Sequence, residues 1–206
     1  MMANRTSSLV PTRRQFLLNV LPAGTVLCLG CRNSGPLKTT KGPPVIEDER
    51  LKALWTKGAE IMEKGYTCAE ATLQVLREDQ GWTAAPYQWA ATGYMGAIAT
   101  GKTICGTLFG GTTFLGYLHG VNTSDAPAAE DPKRNQSIES VRELFQGFIE
   151  RFNYTDCRTL TGCDWSSEED IRRYREEKVY EETCYHYFEY VLATCLARQN
   201  AMNQSA

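Results

Sequence analysis

The chain has 206 residues, 42% of them hydrophobic and 22% charged, with a formal net charge of −2. That is enough apolar material for one buried core, and so small a net charge gives no electrostatic basis for nucleic acid as a partner. Eight cysteines against two histidines make sulfur the chemistry to follow.

In chain order, the first element reads as an export leader. Pro11-Thr12-Arg13-Arg14-Gln15-Phe16-Leu17-Leu18 fits the twin-arginine pattern of a polar residue, two arginines, any residue, then Phe-Leu. An apolar run over 16–30 follows, shorter than the ~20 residues of a membrane-spanning helix and broken by Pro22 and Gly24. It ends Leu27-Cys28-Leu29-Gly30-Cys31, which resembles a lipoprotein cleavage site with Cys31 as the acylated residue. Cys28 and Leu29 depart from that pattern, standing where a Leu and a small residue are usual. Residues 1–31 are therefore read as a twin-arginine signal segment, delivering the chain to the periplasm or to a membrane face through lipid on Cys31. Residues 32–47, rich in Gly, Ser, Thr, Lys and Pro, are expected to form a flexible tether.

Residues 48–200 read as one helical domain, with 201–206 as a tail. Leu51, Leu54, Trp55, Gly58, Ile61 and Met62 recur at helical spacing until Gly65 closes the segment. Thr67-Cys68-Ala69-Glu70 is a capping-box sequence opening a second helix. Residues 82–91 predict a shorter helix, 92–111 are glycine-rich, 108–118 predict a helix despite those glycines, and 122–135 predict a polar loop. Ile138, Val141, Leu144, Phe145, Phe148, Ile149 and Phe152 make an amphipathic helix, after which Thr155 or Asp156 caps a short turn carrying Cys157. Ser166-Ser167-Glu168-Glu169 reads as a second capping box, leading into 171–178 and then a long helix over 180–198. Nothing alternates with period two for long enough to make a strand. The expected fold is all-α, a compact helical bundle with a glycine-rich segment.

One motif points elsewhere. Gly96-Ala97-Ile98-Ala99-Thr100-Gly101-Lys102-Thr103 satisfies the phosphate-loop pattern GxxxxGK[ST]. A working phosphate loop needs a buried strand before it and a parallel sheet beneath it. Ala90-Ala91-Thr92-Gly93-Tyr94-Met95 is a poor strand, and no later apolar run ends in an Asp for the metal, so nucleotide binding is not expected.

The cysteines carry more. Cys68 follows the cap Thr67 in a helix's first turn, where free amides and the helix dipole favour a thiolate; Cys157 is placed similarly behind Thr155-Asp156. Cys105 opens Cys105-Gly106-Thr107-Leu108-Phe109-Gly110, whose glycines let another backbone or a cofactor come close. Cys195 shares a helical face with Cys184, Phe188 and Val191 and is expected to be a packing residue, whereas Cys163 allows no choice.

Four stretches resemble one family in order: Tyr66-Thr67-Cys68-Ala69-Glu70-Ala71, Cys105-Gly106-Thr107-Leu108-Phe109-Gly110, Phe152 with Cys157-Arg158-Thr159-Leu160-Thr161-Gly162, and Glu182-Thr183-Cys184. Together they are similar to the redox-active family labelled C_GCAxxG_C_C, over about 51–196, with Thr107 where the family usually has Ala. The resemblance implies that Cys68, Cys105, Cys157 and Cys184 are the family cysteines, with Cys163 and Cys195 as extras. Related modules are fused to haem-bearing segments in split-Soret cytochromes, which implies electron transfer and an iron–sulfur cluster on those four cysteines. The chain has no Cys-x-x-Cys-His, so covalent c-type haem is not expected, and His119 and His186 read as incidental polar residues.

Three readings stand side by side. Four thiolates are the normal complement of a two- or four-iron cluster, and the twin-arginine route, which carries folded proteins, suits a cofactor inserted before export. A thiol–disulfide protein is the second, since exported cysteines meet oxidising conditions and six mature cysteines allow fifteen pairings. A structural zinc site on the same four sulfurs is the third. A redox partner protein is expected in the first reading.

Overall fold

A computed structural model describes residues 44–84, 86, 90–100, 102–120 and 131–205. The leader, the acylation candidate Cys31 and most of the tether lie outside the described residues. Among those described, the chain is helical: α1 (Glu49–Glu63), α2 (Cys68–Asp79), α3 (Tyr94–Ile98), α4 (Gly106–His119), α5 (Pro132–Phe152), α6 (Cys157–Thr161), α7 (Glu168–Glu176), α8 (Val179–Glu182) and α9 (Cys184–Ser205). Among the described residues, the extended backbone pairs at an isolated antiparallel bridge between Ile104 and Asp156. None of the described helices is long and apolar enough to cross a membrane.

Helices α1, α2, α4, α5 and α9 form the bundle, with α4 against α2, α5 and α9. Its core interleaves Leu73 and Leu76 of α2, Leu108 and Phe114 of α4, Leu144 and Phe148 of α5, and Phe188, Val191 and Leu192 of α9, all essentially solvent-free. The glycines of α4 set how closely its neighbours approach. A Cβ on Gly110 would lie 2.7 Å from Thr72 Cβ and 2.8 Å from the Ala69 carbonyl oxygen, and one on Gly106 would lie 2.4 Å from Cys68 Sγ. A Cβ on Gly111 would lie 2.6 Å from a Val191 methyl. The glycine-rich segment thus brings the backbones of α2 and α4 together, which is the closer of the two roles open to it from sequence.

Several boundaries differ from expectation. Residues 82–84 are not helical, 90–93 form turns, and part of 82–91 lies outside the described residues. Around the phosphate-loop match, Gly96 and Ala97 lie inside α3, and no strand precedes them among the described residues. The expected helix over 180–198 is two helices. Lys178 turns the chain at φ +50, α8 runs four residues, and Thr183 leaves helical geometry at φ −130 and ψ −79. Thr183 Oγ1 donates to the Val179 carbonyl at 2.6 Å, so the short helix closes on itself and α9 starts afresh at Cys184. The apolar period runs through this break, which is why spacing alone reads it as continuous.

Candidate functional site

Each of the four family cysteines stands at the start of a helix: Cys68, Cys157 and Cys184 are first residues of α2, α6 and α9, and Cys105 is the N-cap of α4. Local chemistry fixes these starts. Thr67 Oγ1 accepts from the Glu70 amide at 3.2 Å while Glu70 Oε2 accepts from the Thr67 amide at 2.8 Å, the reciprocal capping box that places Cys68. Asp156, rather than Thr155, caps α6 by accepting from the Thr159 amide at 2.8 Å. Ser167, one residue later than the sequence pattern implied, caps α7 through the Asp170 amide at 3.3 Å.

Tertiary contacts then gather the sulfurs. The Cys105 amide donates to the Thr155 carbonyl at 2.6 Å and the Cys157 amide to the Thr103 carbonyl at 3.1 Å, so the isolated bridge sets Cys105 beside Cys157. The missing side chain of Gly106 leaves the space that Cys68 Sγ occupies. Cys68, Cys157 and Cys184 line a cavity of about 480 Å³, within the ~300–1,000 Å³ range of small-molecule and cofactor sites. Cys105 does not line it but is buried, near enough to the other three to act on each electrostatically. Tyr66, Met95, Trp165, Tyr174 and Tyr185 complete much of the wall.

The thiols are held protonated. Burial pushes Cys68 well up, and the negative charge that Cys105, Cys184 and Cys157 would carry adds to the rise. Cys157 is pushed up to about 12 by burial and then by Cys105 and Cys184. Cys184 reaches about 11 through burial and then Cys105, against the Tyr174 and Thr183 hydroxyls, which pull it down. Burial also raises Cys105, although the Thr107 hydroxyl, 3.0 Å from its sulfur, and the Thr107 and Leu108 amides oppose it. The sequence placed Cys68, Cys105 and Cys157 where helix starts activate sulfur; desolvation outweighs that effect at all three. Four thiols whose charged forms repel one another need a cation before they can be thiolates together.

Two of the sulfurs on the cavity wall have hydrogen-bond partners that the sequence did not single out. The Trp165 indole N–H donates to Cys157 Sγ at 3.3 Å, and the Tyr174 hydroxyl lies 3.1 Å from Cys184 Sγ. Tyr174 is an aromatic on an otherwise strongly charged helix, the one hint of its role that the sequence carries. The remaining cysteines stand apart from the cavity. Cys195 is fully buried against Gly111 and its thiol is raised by burial alone, as a packing residue. Cys163 is fully buried in the loop after α6, near enough to Cys157 to act on it electrostatically. His119 is buried against Ser140 at 2.9 Å, and neither His119 nor His186 lines the cavity.

All six described cysteines are free thiols, and no three His, Cys, Asp or Glu among the described residues stand ready to hold a metal ion. The donor set nevertheless fits a thiolate-held group: four sulfurs from four helix starts, three of them with hydroxyl or indole neighbours at hydrogen-bond distance, and a repulsion that a bound cation removes. No curated protein and no solved structure matches the chain. Residues 66–197 match the model of the family described as "Putative redox-active protein (C_GCAxxG_C_C)", a span that includes all four helix-start cysteines. The chain belongs to this redox-active family.

Proposed function

We propose that the mature domain is an electron-transfer protein carrying an iron–sulfur cluster on Cys68, Cys105, Cys157 and Cys184. The observation that carries this reading is the convergence of four mutually repelling thiols, three on the wall of one cavity and Cys105 buried beside them. A cluster supplies the positive charge those sulfurs need and a couple that takes up one electron at a time. The chain's own part is to hold the sulfurs apart at fixed helix starts, to exclude water with aromatic and methionine side chains, and to present hydrogen bonds to the ligating atoms.

The alternatives fit less well. A catalytic dithiol works through an accessible low-pKa thiolate, whereas burial pushes Cys157 to about 12 and Cys184 to about 11. A structural zinc ion gathers four sulfurs at about 2.3 Å around one point. Zinc has no redox couple of its own, whereas the chain belongs to a redox-active family. We further propose export by the twin-arginine route, attachment to a membrane face through lipid on Cys31, and a protein redox partner. A visible absorption spectrum with iron, zinc and acid-labile sulfide assays on anaerobically purified protein tests the cofactor. Iron and sulfide in comparable amounts support the cluster; zinc alone, or paired half-cystines by mass spectrometry, replaces it.

A further inference from the structure

Two contacts to the cavity's sulfurs come from outside the cysteine-bearing helix starts. Trp165 and Tyr174 reach Cys157 and Cys184 from one stretch of chain, the loop after α6 and helix α7. Helix α7 has no buried residue and packs chiefly on α8, so the core does not explain its position. A half-buried indole or phenol often takes whatever acceptor is nearest. Here the geometry is fixed from several sides. Arg158 pairs with Asp164 at 2.9 Å, the Asp164 amide donates to Asp170 at 2.8 Å, and Arg173 donates to the Gly162 carbonyl at 2.7 Å. The two rings brace each other edge-to-face with centroids 4.9 Å apart. Each ring's polar atom meets a different sulfur of the cavity wall.

We propose that Trp165 and Tyr174 are positioning residues of the sulfur site: two fixed donors that orient Cys157 and Cys184, stabilise negative charge on their sulfurs, and so raise the potential at which the site is reduced. This rests on reading the site as a redox centre. In a cluster, the electron added on reduction places more negative charge on the ligating sulfurs, and a donor there favours the reduced form. Were Cys157 and Cys184 instead to cycle as a disulfide, two electrons and two protons from an external dithiol would cleave the S–S bond to two thiols. A donor to either sulfur favours that reduced state once the thiol ionises, so the buffer for that couple is set at alkaline pH, toward the raised range of Cys184. The sign of the effect is the same in both chemistries.

The test is anaerobic potentiometric titration, with dithionite as reductant, of wild type, Trp165→Phe, Tyr174→Phe and the double variant. Trp55→Phe is the control, because it loses an indole bond to the Tyr185 carbonyl at 3.2 Å and touches no sulfur by hydrogen bond. The midpoint should fall in each single variant and further in the double variant, with iron and sulfide content unchanged, and stay put in the control. Midpoints unmoved in both single variants overturn the proposal, as does an equal fall in the control. If a Phe variant loses its iron, Trp165→His and Tyr174→His restore a donor. Recovery of iron and midpoint then supports positioning, and failure to recover overturns it. Should wild type hold no iron, the same variants are equilibrated with a dithiol–disulfide buffer. A lowered midpoint there retains the two donors and removes the cluster, whereas an unmoved one, or the absence of any reducible couple, removes both.

Discussion

At the scale of single residues, the site is a contest between helix starts, which favour thiolates, and burial, which opposes them. Burial wins by different margins, leaving Cys184 at about 11 and Cys157 at about 12 against an ordinary 9.0. The folded, metal-free chain therefore grips these protons more tightly than the unfolded chain does. Their contribution to stability is complete below pH about 9 and is lost as pH climbs through about 11 for Cys184 and about 12 for Cys157. Urea-unfolding midpoints of the apo protein should accordingly fall as pH rises above about 9, and fall less steeply in Cys157→Ala. A wild-type slope identical to that of Cys157→Ala would mean that this thiol is not desolvated as described. The helix-start positions of Cys68 and Cys157 were legible from their capping residues, but the outcome of the contest was not. Desolvation depends on neighbours from α2, α4, α6 and α9 that are distant in sequence.

At the scale of elements, helix α4 explains why the cysteines meet. Its glycines divide into two kinds. Gly110 faces Thr72 Cβ at 2.7 Å and the Ala69 carbonyl oxygen at 2.8 Å, neither of which can swing aside, whereas a Cβ on Gly116 meets nothing within 4 Å. Alanine in a helix interior is worth roughly 1 kcal/mol over glycine, and overpacking costs about 1–3 kcal/mol. Gly116→Ala should thus stabilise the protein by up to about 1 kcal/mol, while Gly110→Ala should destabilise it and push α2, with Cys68, away from Cys105. Thermal denaturation of the two variants checks the opposite signs. The sequence marked this segment as a place of close approach without saying what approaches, because the answer lies in α2, some forty residues earlier. The break at Thr183 was hidden for a related reason: Cys184, Phe188, Val191 and Cys195 keep a helical period within α9, and the residues before it extend the pattern. The capping box at Thr67, the amphipathic α5 and the lack of alternation were legible because they are local. Trp165 and Tyr174 were not, since no spacing links an aromatic to a sulfur it meets only after folding.

At the scale of the molecule, the proposed export and the proposed cofactor belong to one account, in which a domain folds around its cluster before it leaves the cytoplasm. On the proposed route the arginine pair would be the recognised feature, so replacing Arg13 and Arg14 by Lys keeps the charge and should leave the protein in the cytoplasm. Cell fractionation with an antibody to the mature domain checks this, and normal delivery of the double variant contradicts the route. The central claim is that four of the six described cysteines hold one iron–sulfur cluster and two do not. Its most direct measurement is iron and sulfide stoichiometry in wild type and the six single Cys→Ser variants, purified without oxygen. Cys68→Ser, Cys105→Ser, Cys157→Ser and Cys184→Ser should lose bound iron and visible colour, because an alcohol replaces a thiolate poorly. Cys195→Ser should keep its metal and lose only packing stability, on the order of 1 kcal/mol. A wild type without iron, or a Cys195→Ser that loses metal while Cys184→Ser retains it, would contradict the account.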